Sequence, residues 1–265
     1  MRVTRIVSSL LAANLMAFGA VGIANATAIE LAQNQKATEQ VVHDYILKNP
    51  DVVIQSLQGY QQKQMDQARK TMEKTQTNAP KYADPLFHQS IDPMTGNPTG
   101  KVTVVEFFDY QCPHCIDMTP VMTAIVKANP EVRVVYKEFP IRGPASETAA
   151  KAALAAQMQG KYIEFQHALM GVNKLPLTDD IIFDAAKSVG LDMEKLKTDM
   201  KSKTVEQQIK DTYKLAQDLQ LMGTPALFIA KSNVNKDSTG PNAVIFIPGQ
   251  VNVDQLQDAV SKVGK

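Results

Sequence analysis

The stretch VTVVEFFDYQCPHC, from Val102 to Cys115, decides the fold. Its first half, between Lys101 and Phe108, is a run of β-branched and aromatic residues with the composition of a buried strand. Its second half ends in two cysteines three positions apart, and the chain has no others. A helix is expected from Cys112. After it, VRVVYKEF, through Val132, Val134 and Tyr136, reads as a second strand. An intervening crossover of about 20 residues suits a parallel βαβ unit.

Downstream, residues 146–221 are almost wholly helix-patterned. Ser146 with Glu147 reads as the opening of an Ala-rich helix, Thr178 with Asp179 and Asp180 as that of another, and Asp192 as a third. Gly160, Gly171 and Gly190 punctuate them. Strand patterning returns at residues 226–229 and 243–247, and residues 254–263 read as a closing helix. The order β-α-β, helical block, long helix, β-β-α places the chain in the α/β class. The helical block is inserted between the halves of a small sheet.

Upstream, residues 36–77 are polar, Gln-rich and helical in pattern. Val41, Val42, Tyr45 and Ile46 form one apolar stripe, and Val53, Leu57, Tyr60, Met65, Ala68 and Met72 a second, narrower one. Asn49-Pro50 reads as an N-cap followed by Pro at the first helical position. Helices with seams this thin do not fold alone. Either they lie as an arm on their own catalytic domain, or residues 36–77 join subunits into a homodimer; the length of the stripe favours the second. Residues 78–100, with Pro80, Pro85, Pro93, Gly96 and Pro98, read as linker plus a short edge segment.

The first residues carry an address. Arg2 and Arg5 precede a mostly apolar run from Ile6 to Ile23, and Ala24-Asn25-Ala26 or Ala26-Thr27-Ala28 fits a cleavage site. Residues 1–28 are therefore expected to be a signal peptide cleaved after Ala26 or Ala28, with a single membrane anchor as the alternative. Its loss removes two arginines and no acid, so the net charge moves from +1 to −1. That balance offers nothing to nucleic acid. With 44% apolar and 21% charged residues, the 265-residue chain is neither collagenous nor disordered. The expected organisation is a signal peptide over 1–28, a helical oligomerisation region and linker over 29–80, and a catalytic domain over 81–265.

The two cysteines point to redox chemistry. As a staple the pair would be poor: closing a loop of about four residues is worth only ~2 kcal/mol, against ~4.7 for about a hundred residues. Zinc wants a second pair of ligands, yet His43, His88 and His167 are scattered. A c-type haem wants His at position 116, which is Ile116. No metal or cofactor is implied. If Cys112 caps a helix with Pro113 at its first position, the free N–H groups of His114 and Cys115 and the helix dipole stabilise a Cys112 thiolate. A cationic or hydrogen-bonding His114 adds to this. A stabilised thiolate makes the oxidised pair a strong disulfide donor. Cys115, one turn on, is the shielded resolving thiol.

Glu106 admits two readings. It is an exposed strand-end residue, or a buried acid of raised pKa that shuttles the Cys115 proton, with Lys137 on the neighbouring strand as partner. Gly223-Thr224-Pro225 opens the strand after the long helix, where a Pro belongs because it cannot pair in a ladder.

The run Glu106 to Cys115, with Phe139-Pro140 and Gly223-Thr224-Pro225, resembles the DsbA family of periplasmic thiol:disulfide oxidoreductases. The resemblance covers about residues 102–263. It implies a thioredoxin fold with a helical insertion at about 144–203, a redox disulfide between Cys112 and Cys115, a nucleophilic Cys112 and a cis Pro225. Thr224 and Pro225 would hold substrate as an added strand. Reduced or misfolded secreted proteins are the implied substrates, and a DsbB-like membrane oxidase or a DsbD-like reductase the implied partner. The N-terminal arm departs from the monomeric members; it resembles the longer Com1-like DsbA proteins and, in architecture, the dimeric isomerases with an N-terminal dimerisation region. Three functions follow: a disulfide oxidase, an isomerase or reductase kept reduced, and a non-enzymatic surface protein whose arm binds partners.

Overall fold

A computed structural model describes residues 34–264, except residue 173. The expected signal peptide lies outside the described residues. The chain divides into two compact units, residues 1–67 and 68–265.

In the first unit, helix α1 covers the described residues 34–48, and helix α2 (Pro50–Asn78) begins after a break at Asn49. Pro50 opens α2 as expected, but Asn49 does not cap it with its side chain. Its Nδ2 donates to the Tyr45 carbonyl at 2.9 Å and so closes α1. Val53, Leu57, Tyr60 and Met65 are all exposed, from 47% to 61%. The last turns of α2 belong to the second unit, where the buried Thr75 hydroxyl donates to the Leu219 carbonyl at 2.9 Å and Gln76 accepts from the Phe246 N–H at 3.1 Å.

The second unit is built on a five-stranded sheet ordered β1-β3-β2-β4-β5. The strands are β1 (Met94–Gly96), β2 (Val102–Phe108), β3 (Val132–Glu138), β4 (Ala226–Lys231) and β5 (Val244–Pro248). β2 and β3 pair in parallel, as the crossover length requires, and the other pairs are antiparallel. All seven β2 residues are buried. A strand buried on both faces has no polar alternation, which is why VTVVEFF reads as one continuous run.

Each face of the sheet has its own core. One holds Val104, Phe108, Val134 and Tyr136 with helix α4 (Pro113–Ala128), the inserted helices and α10 (Val253–Gly264). The other holds Val105, Phe107, Val135 and Phe139 with Leu215 and Leu219. Residues expected as linker also pack there. A 3-10 turn, Ala79–Tyr82, and helix α3 (Ala83–Phe87) bury Ala79, Ala83, Leu86 and Phe87. Pro80 and Pro85 disguise these elements in the sequence because both sit near helix starts, where Pro is tolerated. The edge segment is β1, and at Gly96 (φ 86°) a Cβ would lie 2.5 Å from the Val132 carbonyl oxygen, so no other residue fits.

The insertion comprises α5 (Pro144–Gln157), α6 (Tyr162–Met170), α7 (Asp179–Ser188) and α8 (Met193–Asp199), followed by the long α9 (Lys203–Asp218). Thr178 caps α7 and Asp192 caps α8 through their side chains. Ser146 caps nothing: α5 opens two residues earlier, behind Gly143, and Ser146 is buried and turned toward Asp109.

Candidate active site

Cys112 stands at the N-cap of α4 in extended conformation (φ −89°, ψ 114°), with Pro113 as the first helical residue. The geometry follows from residue type: Pro has no N–H to lose at that position and its φ is already helical. The Cys115 N–H donates to the Cys112 carbonyl at 3.0 Å, and the Cys112 thiol donates to the Thr224 carbonyl at 3.3 Å. Thr224 also buries a hydroxyl that is otherwise unpartnered. The Thr224–Pro225 bond is cis, and the Pro225 carbonyl accepts from Gly249 N–H at 2.8 Å. Both cysteines are buried free thiols, so the disulfide expected between them is open here.

The environment splits the two thiols apart. Cys112 falls from an ordinary value of 9.0 to about 5: the hydrogen bond from the Cys115 thiol contributes most, with help from Thr224, the Cys115 N–H and the charge of Arg142, while burial opposes them. Cys115 moves far upward, first through burial, then through its bond to Cys112 and the charge of Glu106. Cys112 is the thiolate and Cys115 the thiol.

Glu106 is 2% exposed, so the exposed strand-end reading is wrong. Burial pushes its carboxyl up to about 8, and a Cys112 thiolate adds to the push. Lys137 is not its partner. In register Glu106 faces Tyr136, while Lys137 faces Phe107 and points to the opposite side of the sheet. Lys137 there pairs with Asp92 and donates to the Pro85 carbonyl at 2.6 Å. His114, between the two thiols, is hydrogen-bonded. Its Nδ1 meets Gln250 Oε1 at 2.8 Å, and the charge of Arg142 is one contribution that lowers Cys112.

Several site residues went unread in the sequence. Asp109, Gln111, Arg142 and Gln250 all touch or flank the motif. One signal was available: an Asp two residues before a turn amide forms an Asx-turn, and Asp109 Oδ1 accepts the Gln111 N–H at 2.7 Å. Glu138, at the end of β3, is a further buried carboxyl, raised by burial and held by the hydroxyls of Tyr162 at 2.7 Å and Tyr110 at 3.1 Å.

Residues 103–261 match the DSBA-like thioredoxin domain. The chain belongs to this DsbA-like family. As a member it is an enzyme of thiol–disulfide exchange. Residues 35–67 match a separate description, the copper resistance protein ScsC N-terminal domain. Among solved structures, a thioredoxin-like oxidoreductase from Silicibacter pomeroyi is similar at 42% identity and TM-score 0.60, over 68% of this chain and 95% of that one. BcfH of Salmonella enterica Typhimurium is similar at 27% identity and TM-score 0.65, over 91% of this chain and all (100%) of its own. The probable disulfide bond formation protein D of Bacillus cereus is 25% identical over 164 residues, 57% of this DsbA-like chain and 76% of that protein. A Na(+)/H(+) antiporter NhaA 1 of Mycolicibacterium gilvum is 28% identical over 143 residues, which are 52% of this chain but only 23% of the antiporter. Among the described residues no helix is long and apolar enough to cross a membrane.

Proposed function

We propose that the protein is a periplasmic disulfide oxidase for unfolded secreted proteins, with Cys112 as nucleophile and Cys115 as resolving thiol. The observation that carries this reading is the split between the two thiols, Cys112 low at about 5 and Cys115 raised. In the oxidised enzyme a substrate thiolate attacks Cys112 Sγ. The Cys112–Cys115 bond breaks, and Cys115 leaves with the electron pair and takes a proton from Glu106. A second substrate thiolate then attacks the mixed disulfide at the substrate sulfur and releases Cys112 as thiolate. The substrate loses two electrons and the enzyme gains them, so a DsbB-like membrane oxidase must take them up again. Among the described residues the Thr224 N–H makes no backbone hydrogen bond, which leaves it for a substrate strand next to Cys112.

Trapping thiols rapidly in cells tests this: an oxidase is found oxidised at steady state. With Cys115→Ala the mixed disulfide cannot be resolved from within, so client adducts accumulate on non-reducing gels. A largely reduced protein without adducts would overturn the reading. It would favour the second one, an isomerase or reductase served by a DsbD-like partner, which the exposed stripe of Val53, Leu57, Tyr60 and Met65 supports as a homodimer surface. Removing residues 29–67, rather than 29–77, keeps Thr75 and Gln76 in the catalytic unit. That variant should be monomeric by light scattering and keep dithiol oxidation.

A further inference from the structure

Asp109 lies at the join between the redox turn and the inserted helices. Its carboxylate is 1% exposed and fully engaged. Oδ1 accepts from the Gln111 N–H at 2.7 Å and from the Ser146 hydroxyl at 2.7 Å, and Oδ2 accepts from the Arg142 N–H at 2.9 Å. The Gln111 amide repeats the connection: its Nε2 donates to the Arg142 carbonyl at 3.0 Å and to Ser146 Oγ at 3.1 Å, and its Oε1 accepts the Leu177 N–H at 3.0 Å. The Asp109 carbonyl accepts the Cys112 N–H at 3.0 Å. One carboxylate therefore holds three things in place: the turn that presents Cys112, the backbone of Arg142, and the first turn of the insertion.

We propose that Asp109 is a positioning residue for the redox thiol, locking the turn at Gln111-Cys112 and the backbone of Arg142 onto the start of the helical insertion. The inference rests on Cys112 being the reacting thiol. Asp109 contributes no proton and touches neither sulfur with its side chain. It acts by fixing where Cys112 sits relative to the groups that face it: the Cys115 thiol and N–H, Thr224, the Arg142 guanidinium and Glu106. An arrangement of this kind explains a buried Ser146 that caps no helix and a buried Asp with no cationic side chain as partner among the described residues.

The sign of the Asp109→Asn effect separates positioning from charge. Removing a nearby negative charge alone would favour the thiolate and lower the Cys112 midpoint. Loss of the lock has the opposite effect. An Asn turns an NH2 group toward either the Arg142 or the Gln111 N–H, donor against donor, and the sulfur drifts from the groups that stabilise its charge. The thiolate absorbance of the full-length reduced protein, followed against pH, is the measurement. We expect the midpoint to rise by about one unit, about a tenfold loss of thiolate below the midpoint. In an Arg142→Gln background the same change should give a smaller rise, because part of what Asp109 positions is gone. Ser146→Ala, a milder variant that keeps the charge, should raise the midpoint by a fraction of that. An unchanged or lowered midpoint in both folded variants, or full additivity with Arg142→Gln, overturns the inference. Cys112→Ala is the separate control: if the low midpoint survives it, the assignment of Cys112 itself fails, whatever Asp109 does.

Discussion

The two faces of one sheet bury ionisable side chains in opposite ways. On one face Lys137 and Asp92, 3% and 7% exposed, hold each other in an ion pair at the floor of a cavity of about 710 Å³. On the other, Glu106 is buried with no hydrogen bond or ion pair among the described residues, beneath the two thiols. Burial raises Asp92 and lowers Lys137, while each partner's charge pulls the other back. Nothing pulls Glu106 back, so it reaches about 8 and is poised to exchange a proton near neutrality. A buried charge that finds its partner is part of the framework. One left without a partner, next to a thiol pair, belongs to the chemistry.

The comparison breaks most easily at Glu106. Glu106→Gln should slow the resolving step by about 10²–10⁴-fold, the usual worth of a positioned acid or base, in stopped-flow exchange with a dithiol. The same variant should change stability in a pH-dependent direction. Because the folded value of about 8 lies above the ordinary 4.5, the native state holds this proton longer than the unfolded chain. Its contribution to stability therefore falls as pH rises through that window, by about 5 kcal/mol in total. Urea unfolding at pH 5 and pH 8 should show the Gln variant gaining on the parent as pH rises. A parallel pH profile would mean that Glu106 is paired after all.

Lys137→Met should destabilise the fold by about 3–5 kcal/mol, since it strands Asp92 in the interior, and should leave the Cys112 midpoint where it was. A shift in that midpoint would show that the two faces communicate. Reduced and oxidised protein should also differ. Cys112 is depressed from 9.0 to about 5, so its stabilisation of the reduced fold is complete above pH 9 and lost as pH falls through 5. At pH 7 this amounts to about 2 kcal/mol after allowance for solvent screening, readable as a denaturation midpoint of the reduced form that rises relative to that of the oxidised form between pH 5 and pH 9. Smallest of all should be the net effect of the double change Lys137→Met with Asp92→Leu. Removing both charges recovers most of what the single substitution loses, and the paired face becomes ordinary core.

Most of the fold was legible because its signals are local. The unbroken apolar run of β2, the Pro after Cys112, and the capping side chains of Thr178 and Asp192 each act within a few residues. The misreadings share a different cause. Ser146 looked like a cap because its true partner is Asp109, 37 residues away. Lys137 looked like a partner for Glu106 because two charges on neighbouring strands invite pairing, yet an offset of one residue sends them to opposite faces. Of the site, the cysteines, Thr224 and Pro225 could be read from the motif and its resemblance. Arg142 and Gln250 could not, since nothing in the sequence around them indicates that the fold carries them to positions 112 and 114.

Helix α5 has one more consequence, for how the insertion tolerates change. Ala149, Ala150, Ala152, Ala153, Ala155 and Ala156 are all buried, together with Leu154. Alanine has the highest helix propensity and surrenders no rotamer freedom when covered, so ordering this segment costs less than ordering almost any other helix of its length. The same methyl groups leave little slack: a methylene added at any of these buried positions presses on neighbours already packed around it. The centre of the insertion is thus inexpensive to fold and hard to vary. Sequence drift in the helical block should concentrate on the outer faces of α7 and α8 and bypass α5.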